Sequence, residues 1–144
     1  MFKYLYTIVN MLLSLVLMLA CSASENVVQT PPASLRLSRF YKKYCNANGL
    51  AIVASSKVSD AAMIVARDTV SKMLWGRVDI LRQLQKNGVR VAVMALTEMT
   101  TDIPEHSDLY RFFPQTDWNQ RCRGVGATMQ RPVCSCAEKF IAVS

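Results

Sequence analysis

The stretch that decides the fold is Val89-Arg-Val-Ala-Val-Met-Ala-Leu96, which is apolar almost throughout. Such a run predicts a β-strand that is covered on both faces, as strands of parallel sheets are. A second apolar run, Leu50-Ala-Ile-Val-Ala54, follows a turn and predicts another buried strand. A helical pattern separates the two runs, so we expect the two strands to lie parallel and to be joined by a crossover.

Two helices are expected within this crossover. Apolar residues recur at helical spacing from Asp60 to Trp75, and Ser59 is a favourable N-cap. A second helix is expected from about Val78 to Lys86, with Gly88 just beyond its C-terminal end. The sequence therefore predicts an α/β fold: a small sheet with parallel strands joined by a two-helix crossover, then a loop-rich, disulfide-bonded C-terminal segment.

The flanking segments are less regular. Leu35–Tyr44 has aromatic and aliphatic residues on one side of a helical projection and predicts a short helix, and Asn46–Gly49 predicts a turn. Beyond Leu96, prolines and glycines interrupt every pattern. We expect a helical turn near Asp117–Cys122 and a short edge strand near Pro132–Cys134.

The amino-terminal residues have the layout of a secretory signal peptide. Lys3 supplies a positive charge, Met11–Ala20 is an apolar run, and small residues follow it. We therefore expect a signal peptide at residues 1–24 and a secreted, extracellular protein. Lipidation of Cys21, which would make the protein a lipoprotein, is the alternative.

The remaining sequence predicts one domain. Residues 25–34 contain two adjacent prolines and no periodicity, which is typical of a linker, and residues 35–144 have the length of a single α/β domain. The formal net charge of +7 comes from lysines and arginines that are spread along the chain. Because these cations form no arginine-rich tract, we expect no nucleic-acid partner. Membrane contact is expected only through the signal peptide or weak electrostatics.

Four of the five cysteines lie beyond the signal peptide: Cys45, Cys122, Cys134 and Cys136. An even number in an exported protein predicts two disulfides. Cys134 and Cys136 are too close together on an extended chain to bridge without strain. We therefore expect each of them to pair with Cys45 or Cys122, and the spacing leaves open which pairs with which.

A polar stretch, Glu98-Met-Thr-Thr-Asp-Ile-Pro-Glu-His106, contains the only histidine of the protein. Its candidate site residues are Glu98, Thr100, Thr101, Asp102, Glu105 and His106. In one interpretation they orient the ligands of a metal site in a longer relative, or form a binding loop. In the other, Thr100 to Asp102 cap a loop, and Glu105 and His106 are solvated. A metal site made from these residues alone is not expected, because zinc sites use several nitrogen or sulfur ligands.

Several short motifs occur in a recognisable order: F-Y-K-K-Y at Phe40–Tyr44, A-I-V-A-S-S-K-V-S-D-A-A at Ala51–Ala62, V-A-V-M-A at Val91–Ala95, T-T-D-I-P-E-H at Thr100–His106, R-G-V-G-A-T at Arg123–Thr128 and V-C-S-C-A-E at Val133–Glu138. In these motifs the chain resembles a family of secreted zinc-metallopeptidase-like proteins, of the gluzincin kind related to the lethal-factor peptidase domain. The resemblance covers nearly everything from Phe40 to Glu138.

The resemblance implies that an H-E-x-x-H helix follows the C-S-C motif, with two histidines that bind zinc and a glutamate that acts as general base. This sequence contains no such motif. We therefore expect no catalytic residues and no cofactor in this chain, and zinc only if the missing half is present. The expected function is that of a non-catalytic N-terminal half: a binding or accessory module for a protein or peptide partner, or a truncated product. The alternative is a small cationic secreted effector that acts at membrane or microbial surfaces.

Overall fold

The computed structural model describes residues 27 to 141, which form an α/β fold around a mixed four-stranded sheet. The strands are β1 (Lys43–Ala47), β2 (Leu50–Ala54), β3 (Arg90–Met94) and β4 (Val133–Ala137), in that spatial order. Strand β1 is antiparallel to β2, whereas β2, β3 and β4 are mutually parallel. The predicted α/β class and the parallel pair β2–β3 are confirmed. The predicted signal peptide, with Cys21, lies outside the described residues.

The helices are α1 (Asp60–Met73), α2 (Val78–Lys86), α3 (Leu109–Phe112), α4 (Trp118–Arg121) and α5 (Glu138–Ile141). Short 3-10 turns occur at Ala33–Leu35, Thr100–Asp102 and Pro104–His106. The two-helix crossover is as predicted, and the Ser59 hydroxyl caps α1 by accepting a hydrogen bond from the backbone N–H of Ala62 at 3.2 Å. Within residues 27 to 141, no helix combines the length and apolar character needed to cross a bilayer.

The helix predicted for Leu35–Tyr44 is wrong, because the end of this segment belongs to β1. A two-residue turn, Asn48 with φ 54° and Gly49 with φ 94°, joins β1 to β2 and pairs Ala47 with Leu50. Positive φ at both positions is the type I′ geometry that matches the twist of a hairpin. Pairing with the buried strand β2 therefore overrides the local helical pattern.

Short segments cover both edges of the sheet. Gln29 exchanges two backbone hydrogen bonds with Tyr44 of β1, at 2.9 and 2.8 Å, so part of the predicted linker is docked on the sheet. At the other edge, Ser135 of β4 donates a backbone hydrogen bond to Val125 at 2.8 Å. A side chain at Gly124 would bring a Cβ to 2.6 Å from the Ser135 carbonyl oxygen, so only glycine permits this approach.

The sheet has two different faces. On the helix face, side chains of alternate sheet residues such as Ile52 and Val93 pack with Met63 of α1. On the loop face, Val53 and Met94 pack with Ile103, which lies between two 3-10 turns. The α helices of the crossover therefore cover one face, and the irregular segment between β3 and β4 covers the other.

Candidate binding site

The polar stretch predicted from the sequence lies within the loop-face layer. Glu98, Thr100 and His106 are buried, with at most 1% of each residue exposed. The Glu105 side chain is 17% exposed. The interpretation in which Glu105 and His106 are solvated is therefore wrong, because the irregular segment folds back onto the sheet and encloses them.

Glu105 forms what we call the carboxylate latch, with Tyr41 and Arg90. The Tyr41 hydroxyl donates to one carboxylate oxygen at 2.5 Å, and the Arg90 guanidinium donates to the other. Burial would raise the pKa of the Glu105 carboxyl, but the hydrogen bonds from Arg90 and Tyr41 outweigh burial and hold that pKa below its usual value. Burial and the neighbouring carboxylate raise the pKa of the Tyr41 hydroxyl. Glu105 is thus an ionised carboxylate, and its hydrogen bonds tie the 3-10 turn that contains it to β3 and to Tyr41.

His106 is enclosed next to this latch. Neither ring nitrogen has a hydrogen-bond partner among the described residues. Burial lowers the pKa of the imidazole, while the charge of Glu105 opposes that shift. His106 is therefore a neutral, interior side chain that cannot meet a substrate arriving from solvent.

Glu98 closes the carboxyl end of β3. One of its carboxylate oxygens accepts a hydrogen bond from the backbone N–H of Ala95 at 2.8 Å. Arg123 was not among the predicted site residues, yet it donates to the carbonyl oxygens of Ala95 and Leu96 at 3.1 and 3.2 Å. Both side chains thus satisfy backbone groups where the strand ends, which is a structural task.

The remaining predicted residues hold loops together. Thr100 donates from its hydroxyl to the carbonyl oxygen of Cys122 at 2.6 Å, and Thr101 donates to the Asn119 side chain at 3.0 Å. The Asp102 carboxylate accepts from the backbone N–H three residues before it at 2.8 Å. The interpretation in which these three residues cap a loop is confirmed for Asp102.

The described residues do not fit a zinc ion. In the range 27 to 141, no three side chains of histidine, cysteine, aspartate or glutamate lie together in a way that could hold a metal ion.

The structure does not support the predicted disulfides, because Cys45, Cys122, Cys134 and Cys136 are all free thiols. Cys45 lies on β1, at one edge of the sheet, and Cys134 and Cys136 lie on β4, at the other. Three strand spacings separate these edges, about 14 Å, whereas bridged cysteines have Cα atoms within about 7 Å. The predicted pairing of Cys45 with either cysteine of β4 is therefore wrong.

The helix face carries an apolar cavity of about 450 Å³, which we call the apolar trough. It lies between α1, α2 and the helix face of β3 and β4. Its lining residues are Leu50, Ala66, Thr69, Val70, Met73, Leu74, Leu84, Val89, Val91, Ala127, Cys134 and Cys136. Burial, and to a lesser extent the neighbouring Cys134, raises the pKa of the Cys136 thiol to about 11, so this thiol stays protonated near neutral pH.

The trough exists because the helix layer is narrower than the sheet. Helix α1 packs mainly on β1 and β2, and α2 on β2, so these helices leave part of the helix face of β4 open within residues 27 to 141. Cys134 and Cys136 point to this face because Val133, Ser135 and Ala137 alternate toward the buried loop face. The disulfides predicted from the sequence pair each of these cysteines with Cys45 or Cys122. Period-2 alternation in V-C-S-C-A puts them on one face, but it does not show that this face lines a trough.

Comparisons with protein-family models, with curated proteins and with solved structures found no match to this chain.

Proposed function

We propose that this domain is a non-catalytic binding module of an exported protein, and that its apolar trough receives an amphipathic helix from a partner chain. The observation that carries the proposal is the part of the helix face of β4, beside α1, that the described residues leave open. Strands in parallel sheets are normally covered on both faces. A partner that fills the trough would complete the missing part of the helix layer.

A helix is the occupant that the trough favours. Its walls and floor are apolar apart from Thr69 and the two thiols, and one wall is itself a helix, α1. Amphipathic helices bind such grooves through side chains at positions i, i+3, i+4 and i+7. A helix lying beside α1 would bury Val91, Cys134 and Cys136, which are only partly buried in the domain alone.

The polar stretch supports a non-catalytic role. General acid–base catalysis needs a titratable side chain within reach of a bound substrate. Glu105 is instead engaged by Tyr41 and Arg90, and His106 is enclosed. More specifically, we propose from the resemblance to zinc-metallopeptidase-like proteins that the partner helix belongs to the zinc-binding half of such a protein.

The test uses a fluorescently labelled amphipathic peptide of about five helical turns, with leucines on one face and glutamates on the other. Its fluorescence anisotropy is measured as the protein is added. We expect saturable binding, and we expect Thr69→Arg to weaken it by about 10-fold or more, because the substitution places a charge against an apolar surface. Thr69 is an exposed residue of α1, so this variant keeps the fold.

The matched control is Ala61→Arg, an equally exposed position of α1 that does not line the trough. It should bind the peptide as the wild type does. Equal weakening by both variants would mean that the peptide does not bind in the trough, and the absence of binding at about 1 mM protein would rule out the proposed docking.

A further inference from the structure

The irregular segment between β3 and β4 presents exposed aromatic side chains together with arginines. Tyr110, Phe112 and Phe113 are 40%, 59% and 50% exposed, and Trp118 is half-buried beside them. Arg111 and Arg121, both exposed, flank these rings. We call these six residues the aromatic–arginine surface.

The rings are held in place. The Asp117 carboxylate caps α4 by accepting from the backbone N–H groups of Asn119 and Gln120, at 3.1 and 3.2 Å, and it also accepts from the Tyr110 hydroxyl at 3.2 Å. The rings of Phe113 and Trp118 meet edge to face, with their centroids 5.7 Å apart. Exposure of these apolar rings is therefore a fixed property of the folded surface.

The charge around the rings is positive. The Arg121 guanidinium lies 5.8 Å from the centroid of the Trp118 ring, and Arg131 lies 5.0 Å from that of Phe112. Asp108 pairs with Arg131, and Asp117 caps α4 but keeps its negative charge. Arg111, Arg121 and Arg131 therefore leave a net charge of +1 against these two carboxylates. Arg111 and Arg121 form no ion pair with the described residues, so their charges face outward without a counter-ion from this part of the chain.

We infer that the aromatic–arginine surface binds anionic lipid membranes. Tyrosine, tryptophan and phenylalanine rings are favoured at the level of lipid headgroups. Arginines next to them attract the negative surface of anionic lipids. The surface combines both properties and lies among the segments that cover the loop face, away from the apolar trough of the helix face. This inference is therefore independent of the proposed helix docking.

The two tryptophans make the surface directly observable. In Trp75→Phe, Trp118 is the only tryptophan, so the emission of the full chain reports on this surface. We expect vesicles of phosphatidylcholine mixed with phosphatidylglycerol to shift that emission to the blue, and acyl-brominated lipid in these vesicles to quench it. Phosphatidylcholine alone should leave the emission unchanged. The apolar run Met11–Ala20 is the same in every variant and therefore cannot account for differences among them.

In the Trp75→Phe background, the double substitution Arg111→Gln/Arg121→Gln should weaken the response by about 10-fold or more, and Phe112→Ser/Phe113→Ser should abolish it. The matched control is Arg82→Gln/Lys86→Gln, which removes two exposed cations from α2 and should change the response little. All of these side chains are exposed, and circular dichroism checks that each variant is folded. The inference is overturned if anionic vesicles produce no shift, if neutral vesicles produce the same shift, or if the α2 control weakens the response equally.

Discussion

The two faces of the sheet are covered in opposite ways. On the helix face, two regular helices leave an apolar trough over β3 and β4. On the loop face, an irregular segment with short turns leaves Glu98, Thr100 and His106 with almost no exposure. The face covered by regular helices therefore carries the apolar trough, whereas the irregular segment encloses polar side chains.

Side-chain chemistry accounts for the difference. Polar groups that bond to one another and to the backbone help to close the loop face, above all in the carboxylate latch. One Glu98 carboxylate oxygen and both ring nitrogens of His106 have no partner among the described residues. The walls of the trough on the helix face are mostly apolar, and among the described residues the main contacts of α1 and α2 with the sheet are to β1 and β2. The apolar concavity thus lies on the helix face, although the polar stretch from Glu98 to His106 lies on the loop face.

The largest effect is expected when the carboxylate latch is removed. Glu105→Ala should lower the free energy of unfolding by about 3 kcal/mol, because it leaves the Arg90 charge and the Tyr41 hydroxyl without their partner in a largely buried site. Urea denaturation followed by circular dichroism measures this change. Tyr41→Phe removes only one hydrogen bond to a charged group and should cost less, about 1.5 kcal/mol.

The control for this prediction is Asp68→Ala, which breaks an ion pair between neighbouring residues of α1 on the helix side. The Asp68 side chain is 48% exposed, so the expected loss is below about 1 kcal/mol. If Glu105→Ala lowered the free energy of unfolding no more than Asp68→Ala, the polar groups would not hold the loop face in place, and the two faces would not differ in this respect.

The second prediction concerns the thiols of the helix face. In a variant with Cys136 as the only cysteine, alkylation by iodoacetamide should be about 100-fold slower at pH 8 than that of an ordinary thiol. The reason is that burial raises the Cys136 pKa from 9.0 to about 11, so the reactive thiolate is scarce. The rate should rise with pH until about pH 11, and unfolding in urea should restore ordinary reactivity. Ordinary reactivity in the folded protein would instead mean a wider, wetter trough.

The crossover could be predicted from the sequence because its signals are local. The run Leu50–Ala54, the Ser59 cap and the helix Val78–Lys86 all appear in the structure with the expected bounds. β1 could not be predicted in the same way, because its conformation depends on pairing with β2. The adjacent residues Asn48 and Gly49 were a hairpin signal that the helical pattern before them obscured.

The candidate site was less predictable, because it depends on how separate elements pack. Nothing in the order of residues near Glu105 shows that its partners are Tyr41 and Arg90, which lie 64 and 15 positions away. The apolar trough likewise depends on the width of the helix layer relative to the sheet. Alternation in β4 would have placed Cys134 and Cys136 on one face, but it does not show that this face is uncovered.

The smallest expected effect is a pH dependence of stability caused by His106, the only histidine of the chain. Burial lowers its pKa from the ordinary 6.5, so below about pH 6.5 the unfolded chain binds protons that the folded protein does not. Stability should therefore fall as the pH drops below 6.5, with a slope of at most about 1.4 kcal/mol per pH unit. Urea denaturation at intervals between pH 5 and 7.5 measures this slope.

His106→Leu should flatten the slope, because it removes the titrating group while keeping an apolar side chain in the enclosed site. It should also leave the loop face at least as stable near pH 5, since the two unpartnered ring nitrogens disappear with the imidazole. Protonation of the Glu105 carboxyl does not change the stability in this pH range. Its pKa is lowered in the folded protein, so the stability that it contributes is lost only below about pH 4.5. If stability changed with pH by the same slope in His106→Leu and in the wild type, the His106 ring would be hydrated in the folded protein. The loop face would then be as open to water as the helix face.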